Sequence, residues 1–592
     1  MSALKECDII MKGGITSGLV YPKAIKTLSE SYIFRCIGGT SAGAVVAVVT
    51  AAAEYGRHSG GYQRLDHITA ELKTNLINLF QPDPRAQSVY DVFRAALDKK
   101  YVTALLRVAR VSLPWTILGA VVGLIPAILI GGVGAWLTGL VAAIFLGLLF
   151  ALVALVFKLR NLLPVLDYGL CPGSRAENSE DTSFPPLSDW LTTAIDTIAG
   201  LDSAKRGPLL IRDLVAGGPE GRTGDSLHPA IDLRTVTTNL NMRRPYTLPN
   251  MNDRNYYFKA SEFRRIFPQR VVDQMVNAKR DDDEKLRRDG DEDLIPFPLA
   301  DDLPVVVTAR MSLSFPFLIA AVPLYRVDYT IPANPPIRRV LFSDGGLSSN
   351  FPIHFFDALF PTRPTFGISL EEFDDAKPTR RVYLPMKASG GTERDLSIGK
   401  IPGVASFVMA LVNAAKDWQD QLRTVLPGYR ERVAHVYLKD DEGGLNLNMP
   451  PERIDTLLDL GLRAGHLMTA TTPTDPATAA LATQDQDRYP FDFDDHRWRR
   501  FLSAYGALEE ALLQAQASWG NAGTPGTYSN FIEAYLNNPA SYGSSSLANR
   551  QAAFKRIDDL MTLVKGWQPP LNDPKNKLLP RRPGLLRITP RY

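Results

Sequence analysis

The chain has 592 residues, enough for about three to five domains and for a large buried core. Its composition, 45% hydrophobic, 22% charged and 9% aromatic, excludes a disordered, collagen-like or disulfide-stapled protein. Lys and Arg total 66 against 63 Asp and Glu, and a net charge of +3 gives no electrostatic ground for a nucleic-acid partner.

The opening stretch, MSALKECDIIMKGG, lacks a basic segment followed by an apolar one, so no cleaved signal is expected. Residues 7–12 are a short apolar run ending at Gly13-Gly14. Residues 19–29 carry a helical pattern with Pro22 near the first turn, where proline is tolerated. Residues 32–37 read as a second strand ending at Gly38-Gly39, and 42–54 as an Ala/Val-rich helix. Alternation of this kind predicts an α/β fold with a mainly parallel sheet covered by helices. Cys7, Cys36 and Cys171 are odd in number and show no CxxC or Cys/His spacing, so a zinc site is not expected and a reducing compartment is.

Residues 111–157 form one uncharged run. A single helix needs about 20 residues to cross a bilayer, so the run is too long for one span and suits two. Gly131-Gly132-Val133-Gly134 can turn the chain, leaving helices over 112–130 and 135–157. Trp115 and Trp136 stand near helix ends, where indoles favour the headgroup layer. Lys99, Lys100, Arg107 and Arg110 precede the run, and Lys158 and Arg160 follow it. The positive-inside bias then places both ends in the cytoplasm and predicts a multi-pass membrane protein. A buried hairpin in a soluble core and a hairpin dipping into one leaflet are the alternatives.

After the run, 176–186 reads as a loop, and 233–240 and 305–308 as strands. The mixed charges of 280–293 suit a solvated loop or helix face rather than a ligand site. Residues 338–342 and 365–370 read as further strands. Beyond 376 the pattern turns to helices and loops. A helix is expected over 404–425, with Phe407, Leu411, Ala414, Trp418, Leu422 and Val425 on one stripe, and loops at 471–478 and 521–527.

Three short motifs carry chemistry. Gly39-Thr40-Ser41-Ala42-Gly43 is a GxSxG between a strand and a helix, the setting of a nucleophile elbow. Lys12-Gly13-Gly14-Ile15-Thr16-Ser17-Gly18 also lies between strand and helix, and its adjacent glycines leave N–H groups uncovered, which suits an oxyanion hole. It ends in neither the GK[ST] of a P-loop nor the GxGxxG of a dinucleotide site; a plain structural turn stays open. Asp344-Gly345-Gly346 follows a strand; alone it is a turn, and with Ser41 it becomes a candidate general base.

In this order the motifs resemble the patatin-like phospholipase family. The resemblance covers about 7–105 and 205–375, and the segment RMSLSFPFLIAAVP at 310–323 is similar to the family's stretch before the aspartate strand. Here Lys12 precedes only two adjacent glycines, and Thr16-Ser17 stand where the family loop carries a basic residue. The resemblance implies a three-layer α/β sandwich and a Ser–Asp dyad without histidine, and no metal or organic cofactor is expected. Ser41 would be the nucleophile, Asp344 the base, and the N–H groups of Gly13 and Gly14 the oxyanion donors; Gly39, Gly43, Gly345 and Gly346 complete the motifs. The implied organisation is a catalytic domain in two parts, 7–110 and 205–375, separated by the hairpin at 111–157 and followed by a helical region at 376–592. The expected activity is membrane-anchored lipid acyl hydrolysis with membrane lipid as substrate. A serine esterase or thioesterase on soluble esters and a non-catalytic membrane scaffold are the alternatives. A Ser–Asp–His hydrolase would need one of His354, His435, His466 or His496, none of which sits in a distinctive motif.

Overall fold

The computed structural model describes residues 4–14, 16–98, 100–175, 183–202, 206–218, 223–225, 227–251, 255–280, 287–289, 292–333, 335–373, 381–385, 403, 407, 410–411, 414, 426–444, 446–469, 491–520, 523–539, 541 and 545–567. The helix expected over 404–425 lies, but for scattered positions, outside them, as do the loop at 471–478 and most of that at 176–186.

The chain opens β1 (Lys5–Met11), α1 (Tyr21–Ser29), β2 (Tyr32–Thr40), α2 (Ala42–Tyr55), as the alternating pattern predicts. Next come α3 (Tyr101–Val111) and the two apolar helices α4 (Leu113–Ile130) and α5 (Val133–Val165). The chain then returns as β3 (Asp232–Asn239), α6 (Val305–Ser312), β4 (Ile337–Asp344), β5 (Thr365–Glu372), β6 (Val433–Leu438) and α7 (Pro451–Thr469). β6, β5, β1, β2 and β3 lie side by side and parallel at the centre of a 12-stranded sheet. β4 joins antiparallel to β3, and further antiparallel strands extend that edge. β1 shows why the centre is buried on both faces: Ile9 and Met11 enter the main core with α1, α2 and α7, while Ile10 meets Phe351, Ile353 and Val433 on the other face.

Three expectations are corrected. Residues 305–308 are not a strand but the first turn of α6. Every residue of α6 is buried, so no polar face marks its period, and the Val run copies a buried strand. Packing against α2 and β3 outweighs the weak helix preference of valine. Within 280–293, the described residues after Arg280 belong to an antiparallel pair, Arg287–Asp289 with Glu292–Pro296, at the edge of the sheet, where charged side chains keep an edge strand from recruiting other chains. The sheet also continues past residue 375, because β6 and Val382–Tyr383 add to it beside β5. The remaining C-terminal elements are mostly helical: α7, Phe493–Trp519, Tyr528–Tyr535 and Leu547–Lys565.

α4 and α5 are each long and apolar enough to cross a membrane. Their turn is Gly131-Gly132, both at positive φ (70° and 90°), a conformation glycine adopts without strain. The helices meet along small residues: Gly119, Gly123 and Ala127 of α4 are buried, as are Gly139, Ala143, Gly147 and Ala151 of α5. A Cβ on Gly123 would stand 2.5 Å from the Ala143 nitrogen, so the backbones are in direct contact. Only 17% and 22% of their most apolar stretches are buried, the reverse of what a hairpin in a soluble core requires. At about 1.5 Å per residue, α5 with its 33 residues runs roughly 50 Å. It is therefore longer than the roughly 30 Å of a bilayer core, and it ends at Val165, where the sequence pattern placed the end at 157.

Candidate active site

β2 ends at Thr40 and α2 begins at Ala42, so Ser41 is the single residue of a sharp strand-to-helix turn. Its φ of 55° and ψ of −128° lie where a non-glycine residue is strained, by about 1–3 kcal/mol. The Ser41 N–H donates to Ser312 Oγ at 3.0 Å, which helps hold that conformation. The flanking glycines are demanded by packing: a Cβ on Gly39 would stand 2.2 Å from the Gly43 oxygen, and one on Gly43 2.4 Å from the Met11 oxygen. Gly43→Ala is therefore expected to destabilise the protein by at least the roughly 1–3 kcal/mol of an overpacked core, read as a lowered unfolding midpoint.

The sheet register brings the second motif to Ser41. Thr40 lies beside Val236 on β3, and Asp344 beside Thr237 on the same strand, so the ends of β2 and β4 meet β3 at adjacent residues from its two sides. The Ser41 hydroxyl donates to Asp344 Oδ2 at 2.7 Å. At that distance nothing can stand between them, an imidazole included. The other carboxylate oxygen, Oδ1, accepts the Gly346 N–H at 2.8 Å, and the Asp344 N–H donates to the Ser314 carbonyl at 3.0 Å. Ser41 and Asp344 are each 4% exposed, and removal from bulk water strengthens their contact. Gly345 is required by close approach, since a Cβ there would stand 2.0 Å from the Val236 oxygen.

The glycine loop lies against the serine. A Cβ on Gly13 would stand 3.1 Å from Ser41 Cβ and 2.3 Å from Asn350 Oδ1. Its N–H, however, donates to the Asn350 carbonyl at 2.9 Å and is not open to an oxyanion in this arrangement. The Gly14 N–H has no acceptor among the described residues and is the donor the loop offers. The first N–H groups of α2, at Ala42 and Gly43, also lack intrahelical acceptors and open beside Ser41. Lys12 pins the start of the loop: its ammonium donates to the Leu370 carbonyl at 3.0 Å and pairs with Glu371 at 3.4 Å. Burial would push the Glu371 carboxyl up, but Lys12 and a contact from His435 hold it well below the usual range, so it stays ionised.

Sequence reasoning gave no role to four supporting residues. Ser312 and Ser314, at the end of α6 and just after it, contact Ser41 and Asp344 respectively. Arg310, fully buried, donates to Ser314 Oγ at 2.7 Å and to the carbonyls of Pro172 and Ala320, each at 2.9 Å. Burial pulls its guanidinium down to about 9, so it still carries its charge at neutral pH. The signal was present in the sequence, an arginine inside the apolar run VVVTARMSLSFPF. Asn350 is the fourth, set between Gly13 and Gly346. Three of the four candidate histidines have other partners: His496 bonds buried Glu431 at 3.0 Å, His435 lies 3.7 Å from Glu371, and His354 packs on Phe355. Among the described residues no group of His, Cys, Asp and Glu could hold a metal ion, and the three cysteines are free and buried.

No family model matches the chain. It is 31% identical, over 666 aligned residues, to the RpoH suppressor of Rhizobium meliloti (strain 1021), covering 99% of each protein. The chain belongs to the RpoH suppressor family. That family name specifies no reaction, so the chemistry is argued from the site alone. Among solved structures, that of VipD from Legionella pneumophila is similar over 95% of this chain and 86% of its own, at 15% identity and a TM-score of 0.29, a likeness too loose to carry an argument.

Proposed function

We propose that this member of the RpoH suppressor family is a serine acyl hydrolase of the patatin-like kind, anchored in a membrane by α4 and α5 and acting on lipid esters. The observation that carries the reading is the 2.7 Å hydrogen bond from the strained Ser41 to Asp344, built by two separate strand ends. Asp344 accepts the hydroxyl proton as Ser41 Oγ attacks the ester carbonyl, and the Gly14 N–H with the first N–H groups of α2 supports the developing oxyanion. The proton passes to the departing alcohol as the carbon–oxygen bond breaks, leaving an acyl-serine. Water, losing its proton to Asp344, then attacks the acyl-serine; the bond to Ser41 Oγ breaks, Oγ takes that proton back from Asp344, and the fatty acid is released. The lipid preference rests on the two long apolar helices next to the catalytic fold.

The experiment is hydrolysis by the full chain in vesicles, with a phospholipid and a short soluble ester compared under fluorophosphonate titration. Turnover of the phospholipid at the titrated site supports the reading. Turnover of the soluble ester alone makes it a soluble-ester hydrolase, and no labelling makes it a scaffold.

Topology supplies a further prediction. Ser41 precedes the hairpin and Asp344 follows it, yet they share a hydrogen bond, so both must lie on one side of the membrane. Reporters fused before residue 111 and after residue 160 are expected to report the same, cytoplasmic side, with the protein resisting alkaline carbonate extraction. Opposite sides would contradict the paired site.

A further inference from the structure

The hairpin is not the only apolar surface the molecule leaves uncovered. α3 ends at Val111, and α4 begins at Leu113, so α3 sits at the root of the hairpin, opposite the Gly131-Gly132 turn. It packs against α5 and against the Gln87–Leu97 helix, burying Val108 and half-burying Ala104, Arg107 and Val111. The face turned away from that contact carries Tyr101, Val102, Leu105 and Leu106, which are 65%, 72%, 51% and 67% exposed. These positions cluster within one helical arc, and Thr103 and Arg110, also exposed, form its polar edge. In water, a helix face with four large apolar side chains this exposed is a liability.

Charge and position name the cover. Lys100 and Arg110 lie on or beside α3, and Lys158 and Arg160 lie on the part of α5 that emerges from its apolar stretch. Lys158 donates to Ser88 at 2.9 Å, and Arg107 to the Asp91 carbonyl, which ties this basic root to the folded domain. An apolar arc with basic neighbours, continuous with two helices fit to span a bilayer, has the layout of a helix lying in the membrane interface. We propose that α3 is a third membrane element, embedded in the headgroup layer of an anionic leaflet through Tyr101, Val102, Leu105 and Leu106. The hairpin holds the protein in the bilayer, and α3 sets the height and rotation at which the catalytic domain rests on it. The proposal rests on the membrane reading above but not on the reaction.

The test labels the full chain with an environment-sensitive fluorophore at Val102→Cys or Leu106→Cys, the native cysteines being buried. Leu227→Cys, at an 85% exposed position outside the hairpin region, is the control. The protein is reconstituted in phosphatidylcholine vesicles with about one-third phosphatidylglycerol and a shallow spin-labelled lipid. The expected result is several-fold stronger quenching at 102 and 106 than at 227. In Leu105→Glu/Leu106→Glu, quenching at 102 falls to the control level while the hairpin keeps the protein carbonate-resistant. Labels at 102 and 106 quenched no more than at 227, in a carbonate-resistant protein, overturn the proposal. Cross-linking between copies through these positions without lipid quenching overturns it too, by naming a second chain as the cover. Carbonate-extractable protein with unquenched labels overturns the anchor as well. Quenched labels in a protein without esterase activity support α3 as a membrane element and count against the hydrolase reading alone.

Discussion

Ser41→Ala is expected to abolish ester hydrolysis and fluorophosphonate labelling while leaving a folded, membrane-bound protein. The loss should approach the about 10⁶-fold seen when a serine nucleophile is removed, since the hydroxyl held at 2.7 Å from Asp344 Oδ2 is gone. The fold should survive because alanine keeps the Cβ and adds no strain at φ 55°, and the Ser41 backbone bond to Ser312 remains. Asp344 would lose one partner but keep the Gly346 N–H on its other oxygen. An unchanged unfolding curve with no turnover is the expected pair of results; retained turnover in a folded variant would remove Ser41 from the mechanism.

Asp344→Asn should be the second most damaging change, costing about 10²–10⁴-fold in kcat, the usual loss for a general base. The amide is isosteric, and its oxygen can still accept the Gly346 N–H at the Oδ1 position. Its NH₂ would then face Ser41 Oγ, a donor where the hydroxyl needs an acceptor, so the proton has nowhere to go. Replacing His354, His435, His466 or His496 by Gln should cost far less in turnover. His496→Gln will lower stability through loss of its bond to buried Glu431, which a folding measurement separates from catalysis. If one of these four variants stays folded and loses as much activity as Asp344→Asn, a Ser–Asp–His triad replaces the dyad.

The positions flanking these two groups show how far residue patterns carry. GxSxG between an apolar run and an Ala/Val helix implies an elbow, because only glycine permits the 2.2–2.4 Å approaches that Gly39 and Gly43 would otherwise block. The Gly14 donor was legible in the same way. That Gly13 is closed by the Asn350 carbonyl was not, since Asn350 lies far along the chain and arrives only with the turn after β4. Ser312, Ser314 and Arg310 lie in the segment singled out at 310–323 but were given no role for a related reason: the helix that carries Arg310 and Ser312 is buried all round, and without a polar face its apolar residues show no period of their own.

What the sequence determined by itself is local: the opening strands and helices, the two apolar helices of the hairpin and their glycine turn, and the three motifs, all written in neighbouring residues. Tertiary structure decided what joins residues far apart. It set the pairing of β2, β3 and β4 that places Ser41 against Asp344, and the entry of β6 into the sheet. It also set the packing that made α6 a helix and left one face of α3 bare. Hydrophobic spacing and turn chemistry act within a few residues, whereas strand register, close backbone approach and exposure depend on partners that only the folded chain brings together.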